Sequence, residues 1–201
     1  NPARKENKSR GPARPEPKVL SVDECERLMR CAEKFKRGRL APYFAVCLFG
    51  GLRPTEARRL DWTRVNLADG ELTISSKNKT KRGRTIALSP TLAAWLKTHK
   101  GKPFKPSNFY KDFNAIRLKA GFGTPDPKDE KRKHLKPSVV DYMRHTVISH
   151  YFRKCGSYGL TAEWAGNSEQ VIKNHYQGKV STADTKKFYS IMPATKKGNR
   201  K

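Results

Sequence analysis

The feature that most constrains this chain is the run at 40–52, Leu-Ala-Pro-Tyr-Phe-Ala-Val-Cys-Leu-Phe-Gly-Gly-Leu. It carries no charge on any side, so a helix built from it must be buried all round, with the other elements wrapped about it. At thirteen residues it falls short of the roughly 20 needed to span a bilayer. Pro42 suits the first turn of such a helix, and Gly50-Gly51 ends it, which predicts a buried helix at 40–49.

Around this run the sequence predicts a mostly helical α+β domain. Ser21-Val22-Asp23-Glu24 reads as a capping box, and Val22, Cys25, Leu28, Met29 and Ala32 recur at helical spacing, placing a first helix up to about Phe35. Pro54 followed by Glu56 opens a short helix at 54–60 and leaves Arg53 at its mouth. Alternating stretches at 64–67, 71–75 and 84–88, with Asp69-Gly70 as a turn, form a small three-stranded antiparallel sheet. Further helices fit 90–98, 107–120, 137–154, 160–165, 168–177 and 182–191, punctuated by glycines. No internal repeat is visible.

The 201 residues hold 44 Lys and Arg against 18 Asp and Glu, a formal charge of +26. Such a surface calls for a polyanionic partner, nucleic acid first. Residues 1–18, with four prolines and six basic residues, read as an extended basic arm, and 194–201 as a basic tail. Without both ends the body at 19–193 still carries about +18, so binding is expected to rest on phosphate contacts. A chain that opens on a linker without Met is expected to be a fragment lacking a preceding domain. No secretory leader is seen, and an intracellular location on DNA, in the cytoplasm, is expected. Cys25, Cys31, Cys47 and Cys155 have no CxxC spacing and read as free thiols, and the five histidines show no zinc-ligand spacing, so no metal is expected.

Phosphate-binding glycine loops, the GxSxG elbow and carboxylate clusters for two metals are all missing from the sequence. An enzyme acting on nucleic acid with this chain would therefore rely on converging cations and a side-chain nucleophile. Gly51-Leu52-Arg53-Pro54-Thr55-Glu56 supplies an arginine at a helix mouth with Glu56 placed to brace it, an expected anion seat. Asp141-Tyr142-Met143-Arg144-His145-Thr146 places a second arginine on a helix whose Val139, Val140, Met143, Val147 and Ile148 look buried. Arg144 therefore needs a partner, and an internal salt bridge is the plain reading. Lys77, Lys79, Lys81, Arg82 and Arg84 crowd the turn between two strands, either as a solvated loop or as a tip reaching a phosphate.

In this order, Gly-Leu-Arg-x-x-Glu-x-x-x-Leu at 51–60, Lys-Thr-x-x-x-Arg-x-Ile-x-Leu at 79–88, Met-Arg-His-Thr at 143–146 and Ala-Gly-Asn-Ser at 165–168, followed by His175-Tyr176, the chain resembles the catalytic domain of tyrosine recombinases, the phage integrase family related to the Xer recombinases. The resemblance covers nearly the whole folded body. It implies DNA cleavage and rejoining through a 3′-phosphotyrosyl link, without ATP, metal or other cofactor. Arg53 and Arg144 would clamp the scissile phosphate, Tyr176 would attack, and Lys79 would protonate the leaving 5′ oxygen, with Lys77 and Lys81 as fallbacks. Lys77, Lys81, Arg82 and Arg84 would contact DNA. The family has histidine where Asp141 stands, and histidine or tryptophan where Asn167 stands; His145 and His175 are nearby substitutes. The resemblance also implies a homo-oligomer on double-stranded DNA through the C-terminal segment, where Ala183, Phe188, Tyr189, Ile191 and Met192 form an apolar face. The alternatives are a non-catalytic DNA-binding module of the same fold, a basic RNA-binding protein, and a type IB topoisomerase sharing the chemistry.

Overall fold

The computed structural model describes residues 18–75, 83–123 and 139–194. Its centre is helix α2 (Ala41–Leu48), every residue of which is buried. Pro42 lies in its first turn, where the absent N–H costs nothing. Tyr43 meets Phe109 edge-on at 4.8 Å, and Phe49, just past the helix end, packs on Phe188 at 5.2 Å, so one short helix ties distant parts of the sequence together.

Four helices enclose it. Helix α1 (Val22–Lys34) starts in the expected capping box and buries Cys25, Leu28, Met29 and Ala32. After α3 (Pro54–Ala57) and the sheet come α4 (Pro90–Thr98) and α5 (Phe109–Lys119). Helix α6 (Val139–Cys155) is the long spine, packing on α2, and its Thr146 hydroxyl accepts the Leu20 N–H at 2.8 Å. Three short helices follow: α7 (Tyr158–Ala165), α8 (Glu169–His175) and α9 (Thr182–Tyr189).

The sheet is β1 (Val65–Asn66), β2 (Glu71–Ile74) and β3 (Arg84–Ala87), antiparallel in that order. Its register pairs Val65 with Leu72 and Leu72 with Ile86. Leu72, Ile74 and Ile86 face the core, as period-two alternation requires. The mostly helical architecture with one three-stranded sheet is the expected one.

One expected boundary changes. The helix anticipated at 54–60 is a single turn, because the chain tightens after Ala57 into i→i−3 bonds, from Arg59 N–H to Glu56 O at 3.1 Å and from Leu60 N–H to Ala57 O at 3.3 Å. In the single chain the C-terminal segment, expected to offer an apolar face to a second protomer on DNA, packs largely on the chain's own core. Phe188 and Ile191 are buried, the Trp95 indole donates to Ile191 O at 2.7 Å, Thr91 donates to Tyr189 O, and Arg30 reaches Met192 O at 2.7 Å. Of the anticipated apolar face, only Ala183 and Met192 stay exposed. Among the described residues no helix is long and apolar enough to cross a membrane.

Candidate active site

The site forms where the ends of α2 and α7, the start of α6, α3 and α8 meet. The loop leaving α7 organises it. Gly166 takes the left-handed conformation (φ 65°), its N–H bonding Glu163 O at 3.1 Å while Asn167 N–H reaches back to Ala162 O at 2.9 Å. This pair of bonds is the Schellman closure, which reverses the chain sharply and frees the last carbonyls to face outward from the helix end. The carbonyls of Ala165 and Gly166 and the Asn167 side chain turn onto two arginines.

Arg144, on α6, is only 9% exposed. Its guanidinium donates to Gly51 O, to Ala165 O at 2.6 Å and to Asn167 Oδ1 at 3.2 Å. The anticipated salt bridge is absent among the described residues; neutral carbonyl dipoles satisfy the buried cation instead. Burial pulls its pKa down to about 10, with the neighbouring Arg53 and Arg84 charges adding to the effect, so it remains a cation at neutral pH.

Arg53, the residue before α3, is more open. It donates to Gly166 O at 2.7 Å, to Asn167 Oδ1 at 3.1 Å and to Glu56 Oε1 at 3.0 Å, while its own N–H donates to Glu56 Oε2 at 2.8 Å. Glu56 thus braces both backbone and side chain of Arg53. Because α3 is one turn long, its dipole adds little to the anticipated anion seat, and the guanidinium is what a phosphate would meet.

Tyr176 caps the C-terminal end of α8 and is 4% exposed. Ile172 and Tyr176, one turn apart, pack with Ile148, Ala162 and Ala165 in a second small core beside the main one. Burial pushes the phenol pKa up, while the Arg144 and Arg53 charges and the nearby Asn167 amide pull against it. Asn167 therefore joins both cations, with the phenol packed close by.

His145 stacks on the Tyr176 ring, centroids 5.4 Å apart, and its Nδ1 is buried with no hydrogen-bond partner. Burial draws its pKa down against the opposing pull of Asp141, one turn earlier on α6, with Arg144 and His175 adding to the lowering. Asp141 and His175 are exposed.

Lys77, Lys79, Lys81 and Arg82 lie outside the described residues. Arg84 does not sit with a loop tip; it opens β3 and turns inward to Glu56. That contact is a feature the sequence reading missed. Its signal was Arg84 at the first position of a strand whose second residue on, Ile86, faces the core.

Comparison with solved structures places this fold among tyrosine recombinase catalytic domains. The XerA recombinase matches at TM-score 0.63 and 18% identity over 89% of this chain and 65% of its own. The catalytic domain of the bacteriophage HP1 integrase matches at 0.58 and 22% over 89% and 90%. The Tn1549 transposon integrase, in complex with transposon right-end DNA, matches at 0.60 and 14% over 87% and 65%. The chain thus spans just under two thirds of the XerA chain. No curated protein matches. The sequence at residues 18–176 matches the model of the phage integrase family, and the chain belongs to that family.

Proposed function

We propose that this chain cuts and rejoins duplex DNA through a 3′-phosphotyrosyl intermediate. The observation that carries the reading is the position of Asn167, whose Oδ1 accepts from both Arg53 and Arg144, beside Tyr176, which packs in one cluster with Ala165, whose carbonyl receives Arg144. Two guanidiniums and a phenol thus gather around the loop that leaves α7. In attack by the Tyr176 oxygen on phosphorus, negative charge grows on the non-bridging oxygens, and fixed cations stabilise it there. The O–P bond to the tyrosine forms as the bond to the 5′ oxygen breaks, and the ester keeps the linkage available for rejoining. His145, stacked on the phenol with a free Nδ1, is the group we assign to receive its proton. Lys79 is assigned to protonate the 5′ oxygen on the strength of its motif. Duplex DNA as partner follows from the charge of +26 and from the DNA held by the Tn1549 integrase.

The test is incubation with a nicked suicide DNA. The wild type is expected to leave a protein–DNA adduct stable to denaturant, and Tyr176→Phe, which removes one oxygen, is expected to abolish it with affinity kept. An adduct persisting in Tyr176→Phe overturns the assignment. A wild type that binds DNA but gives no adduct supports the non-catalytic module, a reading favoured by the exposed Asp141 carboxylate one turn from His145.

A further inference from the structure

Glu56 is held from two sides. Arg53 takes it from the loop, and Arg84 grips it in a fork from β3, Nη1 to Oε1 and Nη2 to Oε2, each at 3.0 Å. The Arg84 Nε–H also donates to Trp164 O at 3.1 Å, on the last turn of α7. One mostly buried guanidinium therefore joins the sheet, α3 and α7, the elements carrying Arg53 and its cradle. The fit is close: a Cβ on Gly166 would stand 3.1 Å from Arg84 Nη1, so the left-handed glycine of the cradle and the Arg84 fork share one space.

We propose that Arg84 is a positioning residue for Arg53. Glu56 has four hydrogen bonds from these two arginines, and the Arg84 fork occupies one lone-pair direction on each oxygen. Without that fork, both oxygens would be open to Arg53, whose guanidinium would turn from Gly166 and Asn167 to make its own bidentate pair with the carboxylate. Arg84 thus keeps Arg53 divided between its brace and its cradle. This differs from a DNA contact: the Nε–H and one N–H of each Nη, the whole face of the fork toward Glu56 and Trp164, are committed inside the protein. The consequence for cleavage rests on the function proposed above; the placement of Arg53 does not.

Two measurements on the full chain separate the possibilities. The first is the NMR signal of the Arg53 Nε–H in wild type, Arg84→Ala and Arg84→Lys, the lysine keeping the charge but not the fork. Both variants are expected to move this signal, and adding Glu56→Gln to either is expected to move it back toward wild type, because an amide attracts Arg53 less. An unmoved signal in folded Arg84→Lys overturns the proposal. The second is single-turnover cleavage beside DNA affinity against salt. Cleavage is expected to fall on the order of a hundredfold, as for a misplaced reacting group, with the salt slope of binding unchanged and the Glu56→Gln double variant partly restored. A slope lower by about 1 would mark Arg84 as a phosphate contact and overturn the proposal. A wild type without cleavage, together with a shifted Arg53 signal, removes the proposed function and leaves the positioning role standing.

Discussion

At the scale of single residues, Glu56 is the most consequential carboxylate. Burial alone would raise its pKa, but hydrogen bonds from Arg84 and the Arg53 N–H, with both cations nearby, carry it down to about 2 from an ordinary 4.5. A carboxyl depressed on folding stabilises the fold above its unfolded pKa and loses that contribution as pH falls through the folded value. Stability on the order of 3 kcal/mol is therefore expected to disappear between about pH 4.5 and pH 2. Thermal melts across that window should show a steep loss in wild type and a shallower one in Glu56→Gln. Gly51 gives a second expectation. It has φ +65°, and a Cβ there would stand 2.8 Å from the Trp164 ring, which is itself stacked on Tyr151 at 4.2 Å. Gly51→Ala combines a left-handed alanine with an overpacked ring and is expected to cost about 2–4 kcal/mol, read by urea denaturation. It would also shift the carbonyl that receives Arg144.

At the scale of elements, α9 behaves as core. Phe188 is fully buried between Phe49 and His150, whose ring lies on it at 4.1 Å. Phe188→Ala is expected to destabilise the folded chain by about 3–5 kcal/mol, checked by calorimetry. The sequence showed that this helix had an apolar face but not what the face met, because amphipathicity defines a buried side without naming its partner. The same limit explains the site. Arg53, Arg144 and Tyr176 were legible because their motifs are local and ordered, and α1, α2 and α4 because caps, prolines and periodicity agreed. Arg144 looked like half of a salt bridge because sequence displays charges, whereas the carbonyls of Gly51 and Ala165 that hold it belong to backbone of any sequence. The Arg84 fork was hidden for a related reason. It pairs residues 28 apart across a strand and a turn, a contact that exists only once the sheet has placed its first residue beside α3.

At the scale of the whole molecule, the charge of +26 governs encounter with any polyanion. Affinity for duplex DNA is expected to fall steeply and linearly in log–log form with salt, as counterions are released from the phosphates, and a nearly flat dependence would overturn the phosphate-contact reading. Most of that charge is long-ranged and indiscriminate, whereas the cradle after α7 is neither. Its acceptors already hold both arginines in the free protein, so an arriving phosphate competes with Asn167 for the same N–H groups. Binding there is an exchange of one acceptor for another. A phosphate aligned with both guanidiniums at once displaces the amide, while one aligned with a single guanidinium leaves it in place. Under the function proposed above, the cradle would thus set a threshold that sliding contacts along a backbone do not cross.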